Sequence, residues 1–446
     1  MVLPHFQVPK INDIFYLQNT GYNSLQNVID EIKFYTGSYG TSESKYQFRG
    51  GGQIFVPSDF YYITGSHIIH SFVSIIGANE RNSLLSWESD SDTGSGIPSN
   101  SAKIIVQPTF MELDSGVLNA GIILRDLYLK GSYMTGTEQK TCFANQPCPY
   151  TESDGTSSYG GFTKLMIERT NITDWGKHGV YLNSAGWGTQ SGANMFHTFK
   201  DSNIARNASN ITLLGDNRIP SFNHVYMGGA YSSTSSNRYG LYVSVAYNLS
   251  VINGCCSENC YTGLDIHGTN NLEIQDHYIE ENTWGIVLSV ASCPTVKNIF
   301  NYSTWIPFYL IDIYNAEITN VRALNMGGYF GTVSGHINGC FVHNNKMNGT
   351  NSAQGWQFGN ITGSPYMWEK VWDDNTINSR IIMGMTNFSG LNDGSGSSLI
   401  LRTKTTSGQP TESCYAQTAG SQVYNSNEDR MYIFNGAVWK YWTASG

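Results

Sequence analysis

A chain of 446 residues with a net charge of −9 can bury a long core, and its negative balance argues against a nucleic-acid partner. Charged residues make up only 13%, against about 25% in ordinary soluble proteins; Asn, Ser, Thr and 47 Gly supply the polarity instead, as turn-rich β architecture requires. No apolar run reaches about 18 residues, so no membrane insertion is expected.

The opening MVLPHFQVPKIND has no charged-then-apolar leader pattern. Either the chain is made and kept in a cytoplasm, or it leaves by lysis, or a leader has been trimmed from it. Cysteines at 142, 148, 255, 256, 260, 293, 340 and 414 show no zinc spacing. Cys255, Cys256 and Cys260 read as reduced core fillers, while Cys142 and Cys148 flank a loop and could pair if oxidised. The N-x-S/T matches at Asn171, Asn207, Asn248 and Asn301 read as turn residues in the absence of a secretion signal.

In chain order, NSLQNVIDEIKFY (23–35) is the best helix. Leu25, Val28, Ile29 and Ile32 make one apolar stripe, with Asn23 or Ser24 as the cap. RGGGQIFVPSDFYYITGSHIIHSFVSIIGAN (49–79) reads as strand, Pro-containing turn, strand, strand, Gly. A helix followed by GGGQIFVP, a Tyr-rich strand and SIIGAN resembles the opening of the pectate-lyase-like β-helix superfamily. There the helix plugs the open end of the coil. An open coil end is an unpaired sheet edge that invites aggregation, so a plug has a physical purpose.

Residues 89–103 and 131–161, rich in Ser, Gly, Thr and Asp, read as long loops protruding from turns. From Phe162 regular units resume, and between 241 and 288 one unit is followed by most of itself again. NLSVINGCCSEN (248–259) matches NLEIQDHYIEEN (271–282), with Leu249 on Leu272, Glu258 on Glu281 and Asn259 on Asn282, each 23 positions on. Gly240, Gly263 and Gly285 open the third segment of three successive units, at offsets of 23 and 22. Three short alternating runs in roughly 22 residues predict an all-β fold. The architecture expected is a parallel β-helix with three strands per turn, its turns stacked about 4.8 Å apart, single-stranded and right-handed as the superfamily resemblance implies. Asn259 and Asn282 are expected at a bend, Leu264 and Ile286 inside, and Glu258 and Glu281 outside.

Carrying the same template along the chain gives a polar outward stripe: Asp174, Arg206, Ser232, Glu258, Glu281, Thr304. Glu258 and Glu281 then stand on adjacent turns roughly 5 Å apart. Stacked like charges disfavour double ionisation, so one carboxyl can act as acid while the other serves as base or nucleophile. Glycoside hydrolysis needs such a pair, about 5–5.5 Å apart for retention or about 6.5–9.5 Å for inversion; side-chain splay reaches either. Arg206, two turns below Glu258, could fork onto a sugar carboxylate, and Asp174 belongs to the same binding stripe. Asp265 and His267, in the next strand, are accessory acid, base or hydrogen-bond candidates, and Glu280 is expected to alternate to the other side. Trp175, Tyr242 and Trp284 are candidate sugar-stacking platforms, against a covering role on the coil surface or in a subunit contact.

Turns continue weakly to 349, and from 350 the period is lost. The division expected is an N-terminal segment with the capping helix (1–48), the coil (49–349) and a C-terminal β cap or trimerisation region (350–446). YNSNEDRMYIFNGAVWKYW (424–442) reads as a hairpin turning at Asn435-Gly436. Hairpins of the type MYIFNGAVWKYW are similar to those ending many phage tail proteins.

Together the coil, its plug, the low charge and the hairpin resemble bacteriophage tailspikes that degrade capsule or O-antigen. That resemblance implies a homotrimer of the virion tail, made in the host cytoplasm and acting on bacterial surface polysaccharide at the cell surface. It places active carboxylates on the coil face or between subunits, where Glu258 and Glu281 match by location rather than motif. A particle-binding head is not visible at the N-terminus. Calcium-dependent pectate lyases cluster Asp on adjacent turns beside an Arg base; no such cluster is found here, so no metal or other cofactor is expected. The expectation is a hydrolytic depolymerase. A metal-independent lyase, a non-catalytic glycan-binding spike and an inert structural fibre stand as alternatives.

Overall fold

The computed structural model describes residues 10–11, 14–18, 25–29, 32, 52–70, 72–87, 102–107, 118–131, 140–145, 148–151, 157–160, 162–184, 194–230, 238–247, 251–338, 340–349, 356–362, 367–373, 402–404, 422–425, 430–434 and 438–443. It is a parallel β-helix. Each coil gives one strand to each of three parallel sheets. Tyr226–Gly228, Cys256–Glu258 and Tyr278–Glu280 stack in the first. Tyr239–Tyr247, Thr262–His267 and Trp284–Ser292 stack in the second. Ser221–Asn223, Val251–Asn253 and Glu273–Gln275 stack in the third.

The period-2 pleat explains why these short runs form strands. In Thr262–His267, Leu264 and Ile266 point inward and are buried, while Asp265 and His267 point outward. Ile252, Ile274, Ile279, Leu264 and Ile286 line the interior of successive coils, part of one continuous core from Phe15 to Val342. Leu25, Val28, Ile29 and Ile32 of the helical stretch at 25–29 and 32 join that core as one stripe. Ile32 reaches Gly52, where a Cβ would sit 3.4 Å from its side chain. The expected caps Asn23 and Ser24 lie outside the described residues.

Corners between sheets are made by single residues in the left-handed region. Between the third and first sheets these include Asp126, Arg169, Asp201, His224, Gly254, Asp276, Asn298 and Asn320. Their side chains bond from coil to coil. Arg169 forks onto Asp126, Asn298 donates to Asp276 at 3.0 Å, and Asn320 donates to Asn298 at 2.6 Å. Asn and Asp tolerate this conformation because their short side chains bond locally.

Some sequence expectations need correction here. Residues 131–161 do not form one protruding loop. Thr141–Asn145 is a coil strand, paired with Ala102–Gln107 and His178–Asn183, and Cys148–Thr151 pairs with Ser157–Gly160 as a hairpin. Cys142 lies on that strand as a buried free thiol, so it is a core filler. The coil also passes residue 349, since Trp356–Thr362 and Met367–Asp373 continue the parallel ladders. Bulges there break the 22-residue spacing that made earlier coils legible. Arg430–Phe434 pairs antiparallel with Trp439–Thr443 as the expected hairpin, within a four-stranded sheet.

Gly240, Gly263 and Gly285 stack where the second sheet begins. A Cβ on Gly263 would lie 2.6 Å from Ser257 Oγ and 2.7 Å from Gly285 O. Gly263→Ala is therefore expected to destabilise the coil by about 1–3 kcal/mol, read as a lower unfolding midpoint at fixed heating rate. An unchanged midpoint would mean that the coils separate freely enough to admit a methyl.

Candidate functional site

The corner between the first and second sheets positions the candidate site. Its left-handed residues are Asp174, Arg206, Gly229, Asn259, Glu281, Ser303 and Asn325, one per coil. Backbone bonds hold them in file: Asn259 N donates to Glu280 O, Glu281 N to Tyr302 O, and Ser303 N to Leu324 O. Asp174, Arg206 and Glu281 thus share a column, as the stripe predicted. Glu258 does not belong to it, and the expectation that Glu258 and Glu281 are vertical neighbours is corrected. Glu258 pairs in register with Glu280, 22 positions on, and that column continues upward to Tyr302. Glu280 faces outward while Ile279 points into the core, the reverse of the expected alternation. Thr304 is buried one step past the corner, and Asn282 stacks on Cys260, accepting its N–H at 2.7 Å. Ser232 lies outside the described residues.

Two carboxylates on adjacent coils therefore remain, with a different partner. Their backbones are about 4.8 Å apart by strand spacing. Each accepts a tyrosine hydroxyl: Tyr226 donates to Glu258, and Tyr278 donates to Glu280 at 2.7 Å. Tyr226, Cys256 and Tyr278 form the adjoining outward column. Burial, then the bond to Glu280, pushes the Tyr278 phenol up to about 12. Burial, then the bond to Glu258, raises Tyr226 as well. Burial and the two nearby glutamates push the Cys256 thiol up to about 12. All three groups keep their protons at neutral pH, so the tyrosines act as fixed donors and Cys256 is no nucleophile.

Aromatic rings frame this acidic edge. Tyr302 stands directly above Glu280, and past the corner Tyr261, Thr283 and Trp305 form their own column, Trp284 N donating to Tyr261 O and Ile306 N to Thr283 O. Tyr261, Tyr302 and Trp305 are exposed at 38%, 39% and 57%. None of these rings, nor Glu280, stands out from the 23-residue match. The 22-residue spacing from Gly263 to Gly285, applied to Tyr261, leads to Thr283 and then to Trp305.

The other predicted residues fall in distinct places. Arg206 Nη2 donates to Asp174 Oδ2 at 2.7 Å, so its charge is neutralised by a buried neighbour rather than held for a sugar carboxylate. Trp175 is no platform: it is 1% exposed, its indole N–H bonded to Leu129 O within the core. Asp265, His267 and Tyr242 do come together on the second sheet. His267 Nε2 lies 2.7 Å from Asp265 Oδ1, and Tyr242 packs on His267 with centroids 5.6 Å apart. Trp284 is half-buried and stacks on Tyr309 at 5.0 Å. This cluster is separated from Glu258 by the corner residues 259–261. Among the described residues no group of three or more His, Cys, Asp or Glu is placed to hold a metal ion. Among them, too, no helix is long and apolar enough to cross a membrane.

Beneath the acidic edge His277 is buried, bonded to Ser257 Oγ at 3.0 Å. Burial drives His277 and the equally buried His197 down to about 3. Unfolded, each would take up a proton near ~6.5. Between about 3 and the unfolded value the unfolded chain binds more protons than the native one. Stability is therefore expected to fall as pH drops through that window, by up to about 1.4 kcal/mol per pH unit per histidine. Replacing His277 with Gln should flatten the acid limb of a stability–pH curve measured by denaturant unfolding. An acid limb as steep as wild type would mean that His277 is not held neutral.

No protein-family model and no curated protein matches the sequence. Solved structures similar to the chain include the Dettilon tailspike protein gp208, with a TM-score of 0.51 and 9% identity over 78% of this chain and 68% of that one. The A-module of the Azotobacter vinelandii mannuronan C-5 epimerase AlgE4 has a TM-score of 0.45 and 14% identity, covering 80% of this chain and 98% of that one. A mutant of DFA-IIIase from Arthrobacter chlorophenolicus, in complex with DFA-III, has a TM-score of 0.46 and 11% identity, covering 81% and 84%. At such identities the likeness is one of fold.

Proposed function

We propose that this chain is a tailspike depolymerase that hydrolyses glycosidic bonds of a bacterial capsular or O-antigen polysaccharide, with Glu258 and Glu280 as the acting carboxylates. The observation that carries the reading is their register on adjacent coils, each held by a tyrosine and framed by exposed aromatic rings. Hydrolysis of a glycosidic bond needs one carboxyl to protonate the leaving oxygen and a second to activate water or attack the anomeric carbon. Two glutamates on neighbouring strands can divide those roles. The shared fold with a protein named as a tailspike supports the biological setting of a virion-tail protein acting at the bacterial surface; the homotrimer is proposed as what the sequence resemblance implies.

A metal-independent lyase would need a neutral-pH base beside the sugar. Tyr226 and Tyr278 keep their protons at neutral pH, so that base would have to be another group, and the cleavage products distinguish the two reactions.

The test is digestion of purified capsular and O-antigen polysaccharides from a bacterial panel, with products sized by gel filtration. Glu258→Gln and Glu280→Gln should each slow chain cleavage by about 100-fold or more, whereas Glu281→Gln should stay close to wild type. Products should carry new reducing ends without the ultraviolet absorbance of an unsaturated sugar. Undiminished cleavage by Glu280→Gln would sink the pair.

A further inference from the structure

Trp305 is the most exposed large hydrophobic side chain among the described residues, at 57%, yet it is not loose. Its ring packs against the next coil at Gly327 and Gly328. A Cβ on Gly327 would sit 2.8 Å from Trp305 Cζ3, and one on Gly328 would sit 3.1 Å from its Nε1. Gly328 N also donates to Trp305 O at 2.9 Å. Any side chain at 327 would lift the indole. The ring is thus backed by two glycines while more than half of the residue's surface is presented to solvent. Two coils below, Tyr261 occupies the same position at 38% exposure. Only Thr283 stands between them, in a gap of about 10 Å set by two strand spacings. Glu280 and Glu281 belong to the Thr283 coil, so the acidic edge opens level with the gap.

An indole or phenol presents a rigid apolar face at low entropic cost, and the C–H face of a pyranose ring is its natural complement. We infer that Tyr261 and Trp305 are positioning residues for a polysaccharide that runs along the coil axis, one sugar ring on each aromatic and the intervening unit over Thr283, facing Glu280. The inference rests on the reading of Glu258 and Glu280 as acting on a glycan, and it adds the direction and registration of the chain.

The experiment uses the full chain and the same purified polysaccharides. Trp305→Ala and Tyr261→Ala should each raise KM by about 10-fold with kcat nearly unchanged, and Trp305→Phe should recover most of the loss. Gly327→Ala, which touches no sugar, should also raise KM by tilting the ring. Thr283→Trp should fill the gap and abolish cleavage while unfolding at the wild-type temperature. Unaltered KM in Trp305→Ala and Tyr261→Ala, with an active wild type, overturns the platform and leaves the carboxylate pair standing. If the wild type cleaves nothing, the hydrolase reading fails, and retention of the immobilised polysaccharides decides the platform separately. Binding lost in Trp305→Ala supports it; absent or unchanged binding overturns it.

Discussion

The structure depends on one constraint: each coil must turn its corners at the same place as the coil beneath, because parallel strands bond in register. A single residue in the left-handed region makes each such turn, and its N–H goes to the strand above. Once that residue is fixed, the pleat decides every side chain before and after it. The residue before the corner points out, the one after it turns in, and the next points out again. At the first-to-second corner this produces Glu258, Cys260 and Tyr261 on one coil, then Glu280, Asn282 and Thr283 on the next. A slip of one residue would exchange outward and inward sets, burying a glutamate and exposing an isoleucine. The apolar core resists that slip along its whole length.

The same constraint turns a weakly charged chain into a locally acidic one. Glu258, Glu280 and Glu281 gather on one edge because two adjacent coils repeat the same geometry. Arg206, the one cation among the described residues of the corner column, is tied to Asp174 lower down. Tyr226 and Tyr278 hold the paired carboxylates from the side, and burial keeps those phenols protonated, so they work as donors rather than as bases.

The coil, its inward residues, the helical stripe and the terminal hairpin were legible in the amino-acid sequence. Each rests on local periodicity: alternation for strands, a 3.6-residue stripe for the helix, stacked glycines at 263 and 285 for the repeat. Glu258 as an outward carboxylate was legible for the same reason. Its partner was not, because identical letters at an offset of 23 outweighed the glycine offset of 22. Glu-Asn at 258–259 matches Glu-Asn at 281–282 as text, but the corner falls on Asn259 in one coil and on Glu281 in the next.

Trp175 shows the other limit. A tryptophan after an aspartate reads as a surface platform until the coil turns it inward against Trp87. Sequence alone therefore determined the architecture and the outward face, since periodicity is a property of neighbours along the chain. Tertiary structure decided which residues meet across coils, because hydrogen-bond register between strands is set by corners and core packing that no single strand encodes.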